Sequence, residues 1–350
     1  IIKFLDSLGP DNKIGIVSFD DIAFVEQELT SINDPAVKNA VIRNIRSITP
    51  RGCTNISDAL KTARKLFTED IISRFNCKII LLSDGEANRG IYTVDGLASV
   101  ALECSDGGIT ISSLGIGLDY NAAVMGEIAR SGNGLFYHIK DLSSLETIFK
   151  EELQLTNMIA AKNVKLLVSI PYLIEISENL NGYVQSVNND NIEVSLGDMY
   201  GPRKIVFEIR NNFVDDDVSF NVEVVYKDLE DNQRSVKTSC ILKVVKNKED
   251  LKNYKEDKAL IEYVLSLIKN RTLLQSSAMY ELGQKNEIAG VFTVSSAMIN
   301  DMSKTYLSAE PSINLTAASL NQTGSLYACN VVSKDMIKEM YAKSYKESRQ

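Results

Sequence analysis

The chain of 350 residues contains a single histidine, His138, and its five cysteines never pair as Cys-x-x-Cys. A Cys/His zinc site and a dense disulfide scaffold are therefore both disfavoured. Cys53, Cys77, Cys104, Cys240 and Cys329 read as buried free thiols. A Ser-His-Asp hydrolase would depend on His138, which lies inside the strand-like run 134–139 (GLFYHI) and reads as structural. No apolar run approaches the roughly 20 residues needed to cross a bilayer. The longest compact one, Ile79 to Leu82, is bounded by Lys78 and Ser83. Cations are also in deficit, 38 Lys and Arg against 46 acids for a net charge of −8, which argues against nucleic-acid binding. Phosphate-cradling loops are missing too. Gly115-x-Gly117 lacks the later glycine of a dinucleotide loop, and no GxxxxGK[ST] occurs. The chain opens without Met and without a signal core, on Ile1, Ile2, Leu5 and Leu8. That is the face of a helix already under way, so the expectation is a fragment whose true N-terminus lies elsewhere.

What is present is an ordinary globular balance: 44% apolar, 24% charged, with 11 Phe and 14 Tyr for the core. The length fits two or three packed modules. Across 1–158, short apolar runs alternate with helical patterns. Runs 13–19 and 22–29 around Asp20-Asp21 predict a hairpin. Segment 34–47 predicts a helix with Asp34 as N-cap and Pro35 in its first position. A second helix follows at 57–67. The continuous apolar run 77–83 (CKIILLS) is expected of a parallel strand covered on both faces. Helix 94–103, strand 109–116, helix 122–130, strand 134–139 and helix 142–156 complete the pattern. This alternation predicts an α/β, doubly wound and mostly parallel sheet.

From 159 to 246 the period changes to short strands separated by turns, expected at 164–170, 182–187, 192–196, 204–210, 219–226 and 235–245. They predict an antiparallel β-sandwich. A charged stretch, 246–257, leads into a helical region over 247–308, with helices expected at 259–268, 273–283 and 289–302. In the tail, 309–350, only a terminal helix around 333–345 is predicted. Asn55, Asn270, Asn314 and Asn321 each begin an N-x-S/T triplet, a frequency that chance explains in a chain this rich in Asn, Ser and Thr.

Two loops follow or face the carboxyl ends of predicted parallel strands, where open α/β sheets bind ligands. One is Gly52-Cys53-Thr54-Asn55-Ile56-Ser57; the other is Ser83-Asp84-Gly85-Glu86. A carboxylate on a rigid strand beside loop hydroxyls supplies hard oxygen donors suited to Mg²⁺, Mn²⁺ or Ca²⁺. The alternative is that Asp84-Gly85 ends a strand in a turn and Ser57 caps a helix.

The order of these motifs is similar to that of the von Willebrand factor type A family. RGCTNISDAL (51–60) resembles the family's G-x-T-N segment, and KIILLSDGEANRG (78–90) its apolar strand ending in Ser/Thr-Asp-Gly. KIGIVSFDD (13–21) and GITISSLGIG (108–117) resemble its flanking strands, and the resemblance covers 1 to about 158. It implies a metal-ion-dependent adhesion site, in which Thr54 and Asp84 stand at two ligand positions. The family's Asp-x-Ser-x-Ser loop, which ends the first central strand, is absent. The resemblance thus places the missing strand upstream of Ile1 and leaves half a site, unless the C-terminal tail or a neighbour fills the gap in the sheet. LGDMYGPRKIVFEI (196–209) within the β region looks like bacterial members related in layout to inter-alpha-trypsin inhibitor heavy chains.

The function this implies is a non-enzymatic binding or adhesion module. A divalent cation, Mg²⁺ or else Mn²⁺ or Ca²⁺, at Thr54 and Asp84 would engage an acidic side chain of a protein partner. Gly52, Asn55, Ser57, Gly85 and Glu86 would lie at the contact. A metal-free structural protein is the alternative. A metal-assisted hydrolase is the weakest reading, because Asp58, Asp84 and Glu86 show no acid/base spacing. An extracytoplasmic or cell-surface setting follows from the resemblance alone.

Overall fold

The computed structural model describes all residues except 173, 189, 190, 212–215, 246–255, 303, 305, 307, 308, 330 and 350. Most of the charged stretch and parts of the expected turns near 188–191 and 215–217 lie outside the described residues. The chain divides into two compact units. The first comprises 1–164, 197–201 and 226–234; the second comprises 165–196, 202–225 and 235–350.

In the first unit, β1 (Lys13–Phe19) and β2 (Ala23–Ser31) form the expected antiparallel hairpin. Helix α1 (Pro35–Ser47) begins as predicted, with the Asp34 carboxylate accepting the Ala36 N–H at 2.8 Å. There follow α2 (Ile56–Lys65), a short α3 (Glu69–Arg74) unforeseen from the sequence, β3 (Cys77–Gly85), α4 (Val94–Asp106), β4 (Ile109–Asp119), α5 (Ala122–Ser131), β5 (Asn133–Ile139) and α6 (Leu145–Asn157). Strands β3, β4 and β5 pair in that order and in parallel, with Ile79 opposite Ile111 and Ile111 opposite Asn133. Every residue from Ile109 to Gly115 is buried, as befits a central strand covered on both faces. Gly134 has to be small. A Cβ there would fall on the carbonyl of Ile111, so the close approach of β5 to β4 leaves no room for a side chain.

Among the described residues β1 and β2 pair only with each other, and no ladder joins β1 to β3. Among the described residues these strands therefore form two separate sheets. The facing edges of β1 and β3 line one cavity of about 650 Å³. Beside it, Lys78 on β3 meets Glu152 on α6 at 2.6 Å, and Ser112 donates to the same carboxylate at 3.0 Å. Glu152 is fully buried; burial first, and then the nearby Glu152 carboxylate, push the Tyr137 phenol up.

In the second unit and its approaches, strands run β6 (Ala161–Ser169), β7 (Ile174–Asn179), β8 (Val184–Asn188), β9 (Asn191–Met199), β10 (Phe207–Asn211), β11 (Val218–Lys227) and β12 (Gln233–Leu242). Five form a sheet in the order β12-β11-β6-β9-β8, with β8 and β9 antiparallel; β10 and β7 form a separate antiparallel pair. The helices that follow differ from the sequence expectation in two places. The two helices expected within 259–283 are one helix, α7 (Lys258–Glu281). The polar stretch 269–272 does not break it because it holds neither Gly nor Pro, and Thr272 returns its hydroxyl to the Ile268 carbonyl at 2.8 Å. After α8 (Ile288–Met302), a helix unforeseen in the tail, α9 (Glu310–Ala328), carries Pro311 in its first turn. It buries Ile313, Ala317, Leu320, Gly324 and Tyr327, a helical stripe that its many Ser, Thr and Asn residues disguise. The last helix, α10 (Lys334–Ser348), matches the predicted one. No described helix is long and apolar enough to cross a membrane.

The cysteine expectation needs correction. Cys77 and Cys104 are buried, and burial pushes both thiols up to about 11. Cys53 is half-buried, whereas Cys240 and Cys329 are exposed.

Candidate functional site

Three loops of the first unit meet at the carboxyl ends of β1 and β3. The first is the hairpin turn at Asp20-Asp21, the second runs from Arg51 into α2, and the third leaves β3 at Gly85 and runs to Ile91. Backbone bonds tie the first two together, since the Asn55 N–H donates to the Asp20 carbonyl at 2.8 Å. The second and third are tied in both directions. Thr54 N–H donates to the Asn88 side-chain oxygen at 2.9 Å, and Asn88 N–H donates to the Thr54 carbonyl at 3.0 Å.

Asn55 is the N-cap of α2, its side-chain oxygen accepting the Asp58 N–H at 3.1 Å, while its amide donates to the Asp21 carbonyl at 2.8 Å. The cap is thus Asn55 and not Ser57. Ser57 is buried, and its hydroxyl is spent within the platform, donating to Asn55 and accepting the Ile91 N–H at 3.0 Å. Gly90 sits against both side chains with φ of +63°, where any side chain would strike Asn55 and Ser57.

The loop carrying Thr54 comes close to the end of β3. The Thr54 hydroxyl lies 3.5 Å from where a side chain on Gly85 would begin, and Gly85 directly follows Asp84 at the end of β3. Gly52 and Glu86 are exposed at the rim, and Asn55 and Gly85 are half-buried. The charges around them are unequal in their pairing. Asp20 is held by Arg51 at 3.0 Å and Asp21 by Arg89 at 3.0 Å. The carboxylates of Asp84 and Glu86 have no hydrogen-bond or ion-pair partner among the described residues. Unneutralised negative charge therefore remains at the end of β3 and on the loop that leaves it.

Asp58, one of the acids weighed for a hydrolase, accepts the Ala23 N–H at 2.7 Å and so braces the hairpin. His138 is hydrogen-bonded to the Tyr120 hydroxyl at 2.8 Å within the fold, in keeping with a structural role. Sequence reasoning missed Asn88, Arg89 and Gly90. Arg89 also reaches Cys53, its guanidinium donating to the thiol at 3.4 Å. The available signal was the polar Asn-Arg-Gly run just after Ser-Asp-Gly-Glu.

A parallel sheet flanked by helices, with two polar loops converging at the carboxyl ends of its strands, defines a ligand-binding α/β domain. Residues 1–151 match the model of the von Willebrand factor type A domain. The chain is similar to protein YfbK of Escherichia coli, 28% identical over 214 residues, which is 59% of this chain and 36% of that protein. It is also similar to inter-alpha-trypsin inhibitor heavy chain H3 of Mesocricetus auratus, 24% identical over 140 residues, 39% of this chain and 16% of that one. Both matches take in well under half of the relative's own length. Among solved structures, a von Willebrand factor type A protein from Catenulispora acidiphila aligns with a TM-score of 0.63 at 17% identity, covering 85% of this chain and 74% of that chain. The fold is shared.

The residues present fit a divalent cation in part. An unpaired carboxylate at the end of β3 and a hydroxyl on the neighbouring loop are hard donors of the kind that Mg²⁺, Mn²⁺ and Ca²⁺ take. Two protein donors do not make a closed shell. No group of three or more His, Cys, Asp or Glu side chains is placed to hold a metal among the described residues.

Proposed function

We propose that the first unit is a non-enzymatic protein-binding module whose contact is made through a divalent cation held at Thr54 and Asp84. What supports this reading is the approach of the Thr54 hydroxyl to Gly85, the residue after the unpaired Asp84, on a platform fixed by the Thr54–Asn88 clamp. When bound, the cation supplies a positive centre that an acidic side chain of the partner can complete. Thr54 and Asp84 hold it. Gly52, Asn55, Gly85 and Glu86 frame the approach, and Ser57 supports the loop from beneath. The remaining donors would come from an Asp-x-Ser-x-Ser segment, which these 350 residues do not contain.

A form of the protein carrying that segment, passed over immobilised synthetic peptides bearing a single Asp or Glu, tests the reading. Retention is expected in Mg²⁺, not in EDTA, and not on the matching Asn or Gln peptides. It is also expected to vanish in Asp84→Ala. Equal retention in EDTA, or by Asp84→Ala, would favour the second reading: a metal-free assembly domain. That alternative draws on the backbone clamps, which already fix the three loops without an ion.

A further inference from the structure

Strand β4 is paired on both sides, with β3 and with β5, so a cavity among the helices at its amino end is no gap in the sheet. Such a cavity, of about 990 Å³, lies within the first unit. Its lining comes from the second half of α2, from α3, from the end of α4 and from Ile109, the first residue of β4. Small-molecule sites occupy about 300–1,000 Å³, and this one is at the roomy end. It opens at the opposite end of the strands from Thr54 and Asp84, so a ligand here is independent of any cation there.

The lining has two chemistries. Phe67, Ile72, Val100 and Ile109 are apolar, and Val100 and Ile109 are buried. Lys61, Arg64 and Lys65 are exposed cations, and their spacing of three and four residues sets them on one face of α2. Of the acids that share the cavity, Asp58 is spent on the Ala23 N–H, Asp70 is paired with Arg74 at 3.3 Å and Asp231 with Lys227 at 2.9 Å. That leaves Glu69 and Glu103 against the three cations of α2, none of the five within ion-pair distance of an opposite charge among the described residues. The cavity therefore holds a single positive charge in excess. Arg64 is the cation that reaches furthest across. One of its terminal nitrogens lies 3.6 Å from where a side chain on Gly107 would begin, so the absent side chain leaves the guanidinium room beside the end of α4. Burial pushes the Cys104 thiol on that helix up, while the Arg64 charge acts the other way and Glu103 with the burial. An unpaired guanidinium fork beside an apolar wall suits a planar anionic head joined to an apolar body. One surplus positive charge is matched by one negative charge.

We propose that this cavity is a binding site for a small amphiphile bearing one carboxylate. Its apolar body packs against Phe67, Ile72, Val100 and Ile109, and its head is held by Arg64 with Lys61 and Lys65 beside it.

The test titrates this 350-residue chain with dodecanoate, kept below its micelle-forming concentration, and follows heat release and amide hydrogen exchange. Saturable binding is expected, with exchange slowed at the end of α2, in α3 and at the end of α4. Dodecanol keeps the body without the charge, and hexanoate keeps the head on a shorter body; each is expected to bind about tenfold more weakly or worse. Dodecyl phosphate, which carries more than one charge near neutral pH, is expected to bind no more tightly than dodecanoate. Arg64→Gln, at an exposed position, is expected to weaken dodecanoate about fivefold or more and to leave dodecanol unchanged, with Arg64→Lys in between. No saturable binding overturns the site, and so does slowed exchange confined to β1 and β3, which line the other cavity. Dodecanoate binding that ignores both Arg64→Gln and Lys61→Gln overturns the assignment of the head to α2. Dodecanol that binds as well as dodecanoate overturns the anionic specification, and a phosphate that binds more tightly overturns the single charge.

Discussion

Glu152→Ala is expected to lower the unfolding free energy of the first unit by about 3–5 kcal/mol. The carboxylate is fully buried, and it answers the Lys78 ammonium at 2.6 Å and the Ser112 hydroxyl at 3.0 Å. Removing it leaves Lys78, whose side chain is 14% exposed, as a charge with little access to water. It also leaves Ser112, fully buried on the central strand β4, without its acceptor, though its oxygen still accepts the Leu135 N–H at 3.1 Å. Glu152→Gln keeps the volume and an acceptor, so it is expected to cost less than the alanine variant. Urea unfolding followed by a probe in the first unit measures both. A loss below about 1 kcal/mol for the alanine variant would show that the pair contributes little beyond offsetting its own desolvation.

The second large effect is expected in the other unit. Lys338 of α10 is fully buried and meets Glu281 of α7 at 3.3 Å. Lys338→Ala removes a long buried stem and leaves Glu281, whose side chain is 10% exposed, without that ammonium. The expected loss is again about 3–5 kcal/mol. Lys338→Met restores most of the buried stem and isolates the charge contribution, so it is expected to fall between wild type and alanine. If methionine and alanine are equally damaging, packing around the stem is not part of the stabilisation. Because the chain has two compact units, the two experiments need probes that report on each separately.

These two ion pairs were not visible in the sequence, and the reason is general. Lys78 and Glu152 are 74 residues apart, and no local period links them. By contrast, the α/β order of the first unit was legible almost strand by strand, because continuous apolar runs such as 77–83 and alternating helical faces are local signals. The hairpin and the Asp34 cap were legible for the same reason. Tertiary burial decided the places where the reading missed. Helix α9 is rich in Ser, Thr and Asn and forms because one stripe of it is buried. Helix α7 continues through Lys269-Asn270-Arg271-Thr272 because Asn270 and Thr272 are themselves buried at 3% and 2% exposure.

The candidate site shows the same division. Thr54 and Asp84 were read from motif order, and the Thr54 hydroxyl lies beside Gly85, the residue that follows Asp84. What fixes them was hidden. Asn88 clamps Thr54 from the neighbouring loop, Gly90 lets that loop pass over Asn55 and Ser57, and Arg89 neutralises Asp21. Each acts across 33 to 68 residues of sequence, through a turn whose conformation no periodicity announces.

The account turns on whether Thr54 and Asp84 hold a cation, and melting temperature answers this most directly. We would compare this chain, a form carrying an Asp-x-Ser-x-Ser segment, and Asp84→Ala in that longer form, each in Mg²⁺, Mn²⁺ and EDTA. A ligand that binds only the native state adds about 2.7 kcal/mol at a hundredfold excess over its dissociation constant. For a domain of this size that is a rise of about 5–10 °C. The rise is expected in the longer form alone, and it is expected to disappear in Asp84→Ala. A longer form that melts identically in metal and in EDTA, or an Asp84→Ala variant that responds as fully as wild type, would contradict the cation-bridged module.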